Sequence, residues 1–183
     1  MKFAAILFTS LAAFASVSAA PQQKKAPKGK EGGGGGAAGS VVKGSDTLTF
    51  FEVGGIPGNE CLTFRNNGDM VNAACVDTAA DRQMTPSKNA AGDDVLLLQR
   101  SFAAGFRPDL VGVQACLGLT DGTFKAIDCA SSDPMVSLKG TQLFAGKACH
   151  SGHNGKAEVT VDATGAKCVD VKTKKVKAAA PIE

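Results

Sequence analysis

The chain has 183 residues, with 20 basic and 17 acidic side chains, six cysteines and neither Trp nor Tyr. Its formal +3 belongs to the N-terminal tail: setting aside Lys2, Lys24, Lys25, Lys28, Lys30, Lys43 and Glu31 leaves 14 basic against 16 acidic residues, a net −2 from Gly44 onward. A near-neutral body of this size suits one core and lacks the basic face that nucleic-acid binding requires.

Residues 1–19 read as a signal peptide, with Lys2, an apolar run over 3–13, and small Val17 and Ala19 at the positions a signal peptidase recognises. Thr9 and Ser10 interrupt that run before it reaches the roughly 20 apolar residues a membrane span needs. No membrane span is expected, and the mature chain is expected to be secreted. Residues 20–45 hold Gln22-Gln23-Lys24-Lys25, Pro27 and an unbroken glycine run over 32–36, the composition of a disordered Gly/Lys-rich linker. Residues 46–183 form the expected single domain.

In that domain Thr47-Leu48-Thr49-Phe50-Phe51-Glu52-Val53 is rich in β-formers and stops at Gly54-Gly55. A hairpin comes next, from Cys61-Leu62-Thr63-Phe64 through Asn67-Gly68 to Val71-Asn72-Ala73-Ala74-Cys75. Residues 78–93 are polar and small, with Pro86 and Gly92 as breakers; a long loop is expected, with a short helical turn near 79–84. Val95-Leu96-Leu97-Leu98 is a continuous apolar run too short for a helix, hence a buried strand. Ala115-Cys116-Leu117-Gly118-Leu119, a turn at Asp121-Gly122, and Thr123-Phe124-Lys125-Ala126-Ile127-Asp128-Cys129 make the clearest hairpin. Met135-Val136-Ser137-Leu138 reads as a short strand, residues 140–155 as a loop, and residues 157–162 as an alternating strand. Cys168-Val169-Asp170-Val171, a turn at Lys174-Lys175, and residues 176–180 read as a third hairpin. Leading cysteines at 61, 116 and 168 then recur at intervals of 55 and 52 residues.

Many short strands separated by turn signals give an all-β fold. In an exported chain six cysteines are read as disulfides, with 15 possible connectivities. Cysteines at the outer ends of hairpins favour Cys61–Cys75 and Cys116–Cys129, which leaves Cys149–Cys168.

The recurring unit, a short strand, then Cys-Leu-x-Leu, a turn, a second strand and Cys, resembles the ricin-B-type β-trefoil repeat, most closely from Val159 to Val171. The resemblance implies a disulfide-stapled β-trefoil-like barrel, the alternative being a β-sandwich, and a family that commonly binds sugars, some trefoils instead inhibiting proteases. That family closes each repeat with Gln-x-Trp. Here Gln83-Met84-Thr85 is the nearest remnant, and Met135 stands where another is expected. The aspartate that holds sugar hydroxyls in the family corresponds to Thr63 and Gly118 in the first two repeats, and Asp170 alone keeps it in the third. The combination of leader and small cysteine-bearing domain also resembles small secreted fungal proteins, effectors among them.

Cys149-His150-Ser151-Gly152-His153 carries both histidines of the chain and has metal-ligand spacing. Oxidation of Cys149 removes the thiolate such a site would use, so no metal and no cofactor are expected. Ser151 has histidines as chain neighbours, but neighbours in a loop rarely face one another, and no nucleophilic site is expected. Asp77, Asp81, Asp93 and Asp94 offer carboxylates without a visible pairing. Lys172, Lys174, Lys175 and Lys177 read as protection of an edge strand. The expected function is therefore that of a secreted, non-catalytic binding protein for carbohydrate or a cell-wall polymer, with Asp170 as its ligand-binding residue. The alternative is an effector or protease-inhibitor-like protein that acts on a host protein through the segments 78–92 or 140–155.

Overall fold

The structure, a computed structural model, describes residues 40–180; the expected signal peptide and most of the linker lie outside the described residues. Twelve strands succeed one another: β1 (Thr47–Ile56), β2 (Asn59–Phe64), β3 (Met70–Ala73), β4 (Gln83–Lys88), β5 (Asp94–Leu98), β6 (Ala115–Thr120), β7 (Thr123–Asp128), β8 (Ser137–Lys139), β9 (Gln142–Ala145), β10 (Ala148–His153), β11 (Val159–Asp162) and β12 (Val171–Val176). Two single 3-10 turns, Ala80–Arg82 and Pro108–Leu110, are the only helical pieces among the described residues. None is long enough to cross a membrane.

All strand pairs are antiparallel. One sheet runs β3-β2-β1-β4-β5-β6-β7 with β12 also on β1, and a second runs β11-β10-β9-β8. β1 organises the first sheet: Thr47 to Glu52 pair with β12, while on the other edge Leu48 and Thr49 meet β4 and Phe51 meets β2. Strand pairing closes neither sheet; the isolated bridges Asp69↔Lys125, Val71↔Glu158 and Gly118↔Met135 tie the ends together.

Local chemistry explains the hairpins. Between β6 and β7, Asp121 and Gly122 both have positive φ, 50° and 71°, which is the two-residue turn that Asp-Gly adopts most readily. β5 is apolar throughout because both of its faces are covered. Leu96 and Leu98 enter the main core with Phe50, Leu62, Phe64, Met84, Leu117 and Phe124, whereas Val95 and Leu97 pack against Val41, Cys116 and Cys129. The docked part of the chain therefore begins before the expected boundary at residue 46: Val41 is buried, and its N–H donates to Gln114 Oε1 at 2.7 Å.

The disulfides are Cys61–Cys75, Cys116–Cys129 and Cys149–Cys168. The first two close β2–β3 and β6–β7. The third closes β10–β11, which corrects the sequence reading of the last repeat: Cys168 is a trailing cysteine and Cys149 the leading one. No turn forms at Lys174-Lys175, because β12 runs straight through it along β1.

Two expected loops are strands. β4 passes through Pro86, which lies between the contacts of this strand with β1, at Gln83 and Met84, and the bridge from Lys88 to Val42; no partner there requires the missing N–H. β9 and β10 occupy the segment 140–155. Gly140 and Gly146, each at φ 61°, make two-residue turns whose spacing leaves only short strands between them.

Candidate functional site

A cleft of about 1020 Å3 lies at the end of β2. Phe64 is buried at the strand end, and the chain then turns through Arg65 and Asn66, held by a bond from Arg65 N–H to Asp69 O at 3.0 Å and by Gly68 at φ 86°. Arg100, just past β5, crosses to this turn. Its guanidinium donates to Phe64 O and, at 3.0 Å, to Asn66 Oδ1, and it lies 4.6 Å from the centre of the Phe102 ring. Burial lowers the Arg100 pKa from its ordinary value, with Asp81 opposing the shift. The opposite wall is the segment after β12. Fully buried Gln83 fixes it, donating to Asp77 O at 2.6 Å and Lys177 O at 3.1 Å and accepting from Ala179 N–H at 2.7 Å. The glutamine that resembled a family remnant is thus a clip for the cleft wall.

The charges of the cleft are unbalanced. Arg65 reaches Glu158 at 3.4 Å, but both side chains are nearly half exposed, where such a pair is weak. Among the described residues neither Arg100 nor Lys177 has a carboxylate within ion-pair distance. Asp81, the acid of the cleft, is already paired with Arg82 at 2.6 Å.

A second polar cluster lies inside the molecule. Glu52 on β1 is only 4% exposed. It accepts from His150 Nε2–H at 2.9 Å and from His153 Nδ1–H at 2.5 Å. Burial alone would push this carboxyl up, but the two histidine hydrogen bonds outweigh it and hold the pKa at about 2, so Glu52 is the acceptor in both bonds. Residues three apart on a regular strand face opposite sides. Here β10 shifts register between His150 and Gly152, and the bulge turns both histidines toward β1. The buried Asn72 amide also helps to lower the Glu52 pKa, although its approach falls outside hydrogen-bond geometry, and His150 Nδ1 has no hydrogen-bond partner among the described residues. Among the described residues no group of His, Cys, Asp and Glu has the geometry to hold a metal ion.

The residues singled out by sequence are scattered. Asp170 is exposed, its Oδ1 accepting from the Thr141 hydroxyl at 2.8 Å and its carbonyl from Val53 N–H. Because it comes after a trailing cysteine, it does not occupy the position that motivated the carry-over. Two residues after the leading cysteines stand Thr63, Gly118 and Ser151. Thr63 donates to Asp81 O, Ser151 donates to Thr160 Oγ1 and to neither histidine, and a Cβ on Gly118 would lie 2.0 Å from Ile127 Cδ1. Asp81 lines the cleft, whereas Asp93 and Asp94 line a separate hollow with Asp133. Lys174 and Lys175 pair with Asp77 and Asp46, and Lys177 alone of the basic end reaches the cleft.

Sequence reasoning missed Arg65, Asn66, Arg100 and Glu52. Only Glu52 carried a local signal, an acid between Phe51 and Val53 in an otherwise β-forming run, which is a residue that must find a partner when the strand is buried. No protein-family model matches the chain, and neither the curated proteins nor the solved structures yield a match.

Proposed function

We propose that this chain is a secreted, non-catalytic carbohydrate-binding protein on a β-trefoil-like scaffold. The scaffold reading is supported by twelve strands in six hairpin-like pairs. Three of those pairs, β2–β3, β6–β7 and β10–β11, each carry one disulfide, and β3, β7 and β11 pack mutually. Three disulfides also suit an oxidising, extracellular setting.

The observation that carries the function is the cleft itself. Five separate chain segments converge on it, it is large enough for a short oligosaccharide, and it sets hydrogen-bonding side chains beside the apolar walls of Ala79, Ala80 and Ala178. The Asn66 amide N–H2 has no protein acceptor among the described residues, so it is available to a ligand hydroxyl. Retention of the full secreted chain on insoluble cell-wall polysaccharides, lost in Asn66→Ala, is the expected result; failure to bind any polysaccharide or arrayed glycan removes the reading. Asp170→Ala is expected to bind normally.

The protein-partner alternative has one observation in its favour. Phe106, Val111 and Val113 are 60%, 49% and 42% exposed on the single segment between β5 and β6. Capture of a host protein that fails with Phe106→Ser, without glycan binding, would establish it instead.

A further inference from the structure

We infer that the cleft selects acidic saccharides, chains of uronic acid or similarly carboxylated sugars, an inference that rests on the carbohydrate reading of the same site. Arg65, Arg100 and Lys177 come from three distant parts of the sequence and meet at one hollow, while the body of the protein is net negative from Gly44 onward. The local positive charge therefore does not arise from a basic protein; the fold concentrates it.

Elsewhere five cations have carboxylate partners, Lys88 with Asp94, Arg107 with Asp109, Lys125 with Asp69, Lys174 with Asp77 and Lys175 with Asp46, and among the described residues Lys43, Lys139, Lys147, Lys156, Lys167 and Lys172 have none, so the cleft is distinguished by the convergence of three cations on one hollow. At the cleft Arg65 has only the weak, half-exposed pair with Glu158, the one lining acid, Asp81, is paired with Arg82 while also acting on Arg100 through space, and Arg100 is held in place by hydrogen bonds to the Phe64 and Ser101 carbonyls and the Asn66 amide, all neutral. A partly buried guanidinium bound only to neutral acceptors keeps its charge for a ligand, and a planar carboxylate is the shape it matches best. Asn66 and Thr78 beside these cations add neutral hydrogen-bonding groups of the kind that recognise sugar hydroxyls. Alanine walls accept the C–H face of a pyranose. An acidic peptide would use the charges but not this arrangement of hydroxyl-pairing and small apolar groups.

The test is titration calorimetry of the full secreted chain with an oligogalacturonate, a neutral chito-oligosaccharide of equal length and poly-glutamate of equal charge, at low and high ionic strength. The oligogalacturonate is expected to bind about tenfold or more tighter than the neutral sugar, the effect of one well-placed charge-assisted hydrogen bond. High salt and either Lys177→Gln or Arg65→Gln should remove that advantage, and Lys177→Arg should keep it. Unchanged thermal melting of each variant ties the loss to the cleft and not to folding. Equal binding of neutral and acidic sugars overturns the charge selectivity and leaves the carbohydrate reading standing. Poly-glutamate binding as tightly as the uronate overturns the saccharide assignment, and no saccharide binding at all removes both readings together.

Discussion

Glu52 lies buried with each carboxylate oxygen taken by a histidine, while Arg100 and Lys177 border an open cleft with no carboxylate in ion-pair range among the described residues. The first cluster joins the two sheets, β1 of one to β10 of the other, and both carboxylate oxygens of Glu52 are consumed by the fold. The second spends its bonds on neutral groups and keeps its charge. Burial separates the two roles: a desolvated carboxylate must be satisfied internally, whereas cations at a cleft mouth remain hydrated until a ligand displaces the water. A polar cluster is therefore better judged by its unpaired groups than by its residue types.

The largest expected effect comes from breaking the buried clasp. Glu52→Ala strands His150 and His153 without their acceptor and should cost about 4 kcal/mol, read as a fall in the urea midpoint at unchanged slope. A loss below about 1 kcal/mol would show that the clasp is not structural. Removing the neighbouring cross-link with Cys149→Ala and Cys168→Ala together should cost about 3 kcal/mol in the chain-entropy account, because its sequence separation is 19 residues.

The pH dependence sharpens the same contrast. The folded pKa of Glu52, about 2, lies below its ordinary 4.5, so its stabilisation is complete above about 4.5 and drains away as the pH falls toward 2. Glu52→Gln should flatten the stability profile in that window by up to about 1.4 kcal/mol per pH unit. A residual slope is expected from Asp46, Asp109, Glu158 and Asp162, whose pKa values are also lowered, mainly by hydrogen bonds from Lys175, Arg107, Asn154 and Thr164 respectively. An unchanged profile in Glu52→Gln would contradict the assignment. At the small end, Lys177→Gln should shift stability by no more than about 0.5 kcal/mol while abolishing the preference for acidic sugar, since the exposed side chain makes no hydrogen bond or ion pair among the described residues.

Much of the architecture was legible because it is local. The β6–β7 hairpin is written in alternation, Asp-Gly and terminal cysteines, and the apolar run 95–98 announced a strand covered on both sides. The third repeat was misread because Cys168, judged by Val169-Asp170-Val171 alone, has the look of a leading cysteine. Its partner strand, β10, lies upstream in a glycine-punctuated segment that looks like loop. Asp170 took its assignment from that frame, and the disulfide shows that it follows a trailing cysteine.

Local sequence was enough for a β-rich, disulfide-stapled body of near-neutral charge and for the cysteines that close the first two hairpins, since strand period, turn residues and short cross-links act over a dozen residues or so. Tertiary structure alone decided that Glu52 meets histidines about a hundred positions away and that Arg65, Arg100 and Lys177 share one cleft. Such meetings depend on the order and register of the sheets, and no local propensity encodes them.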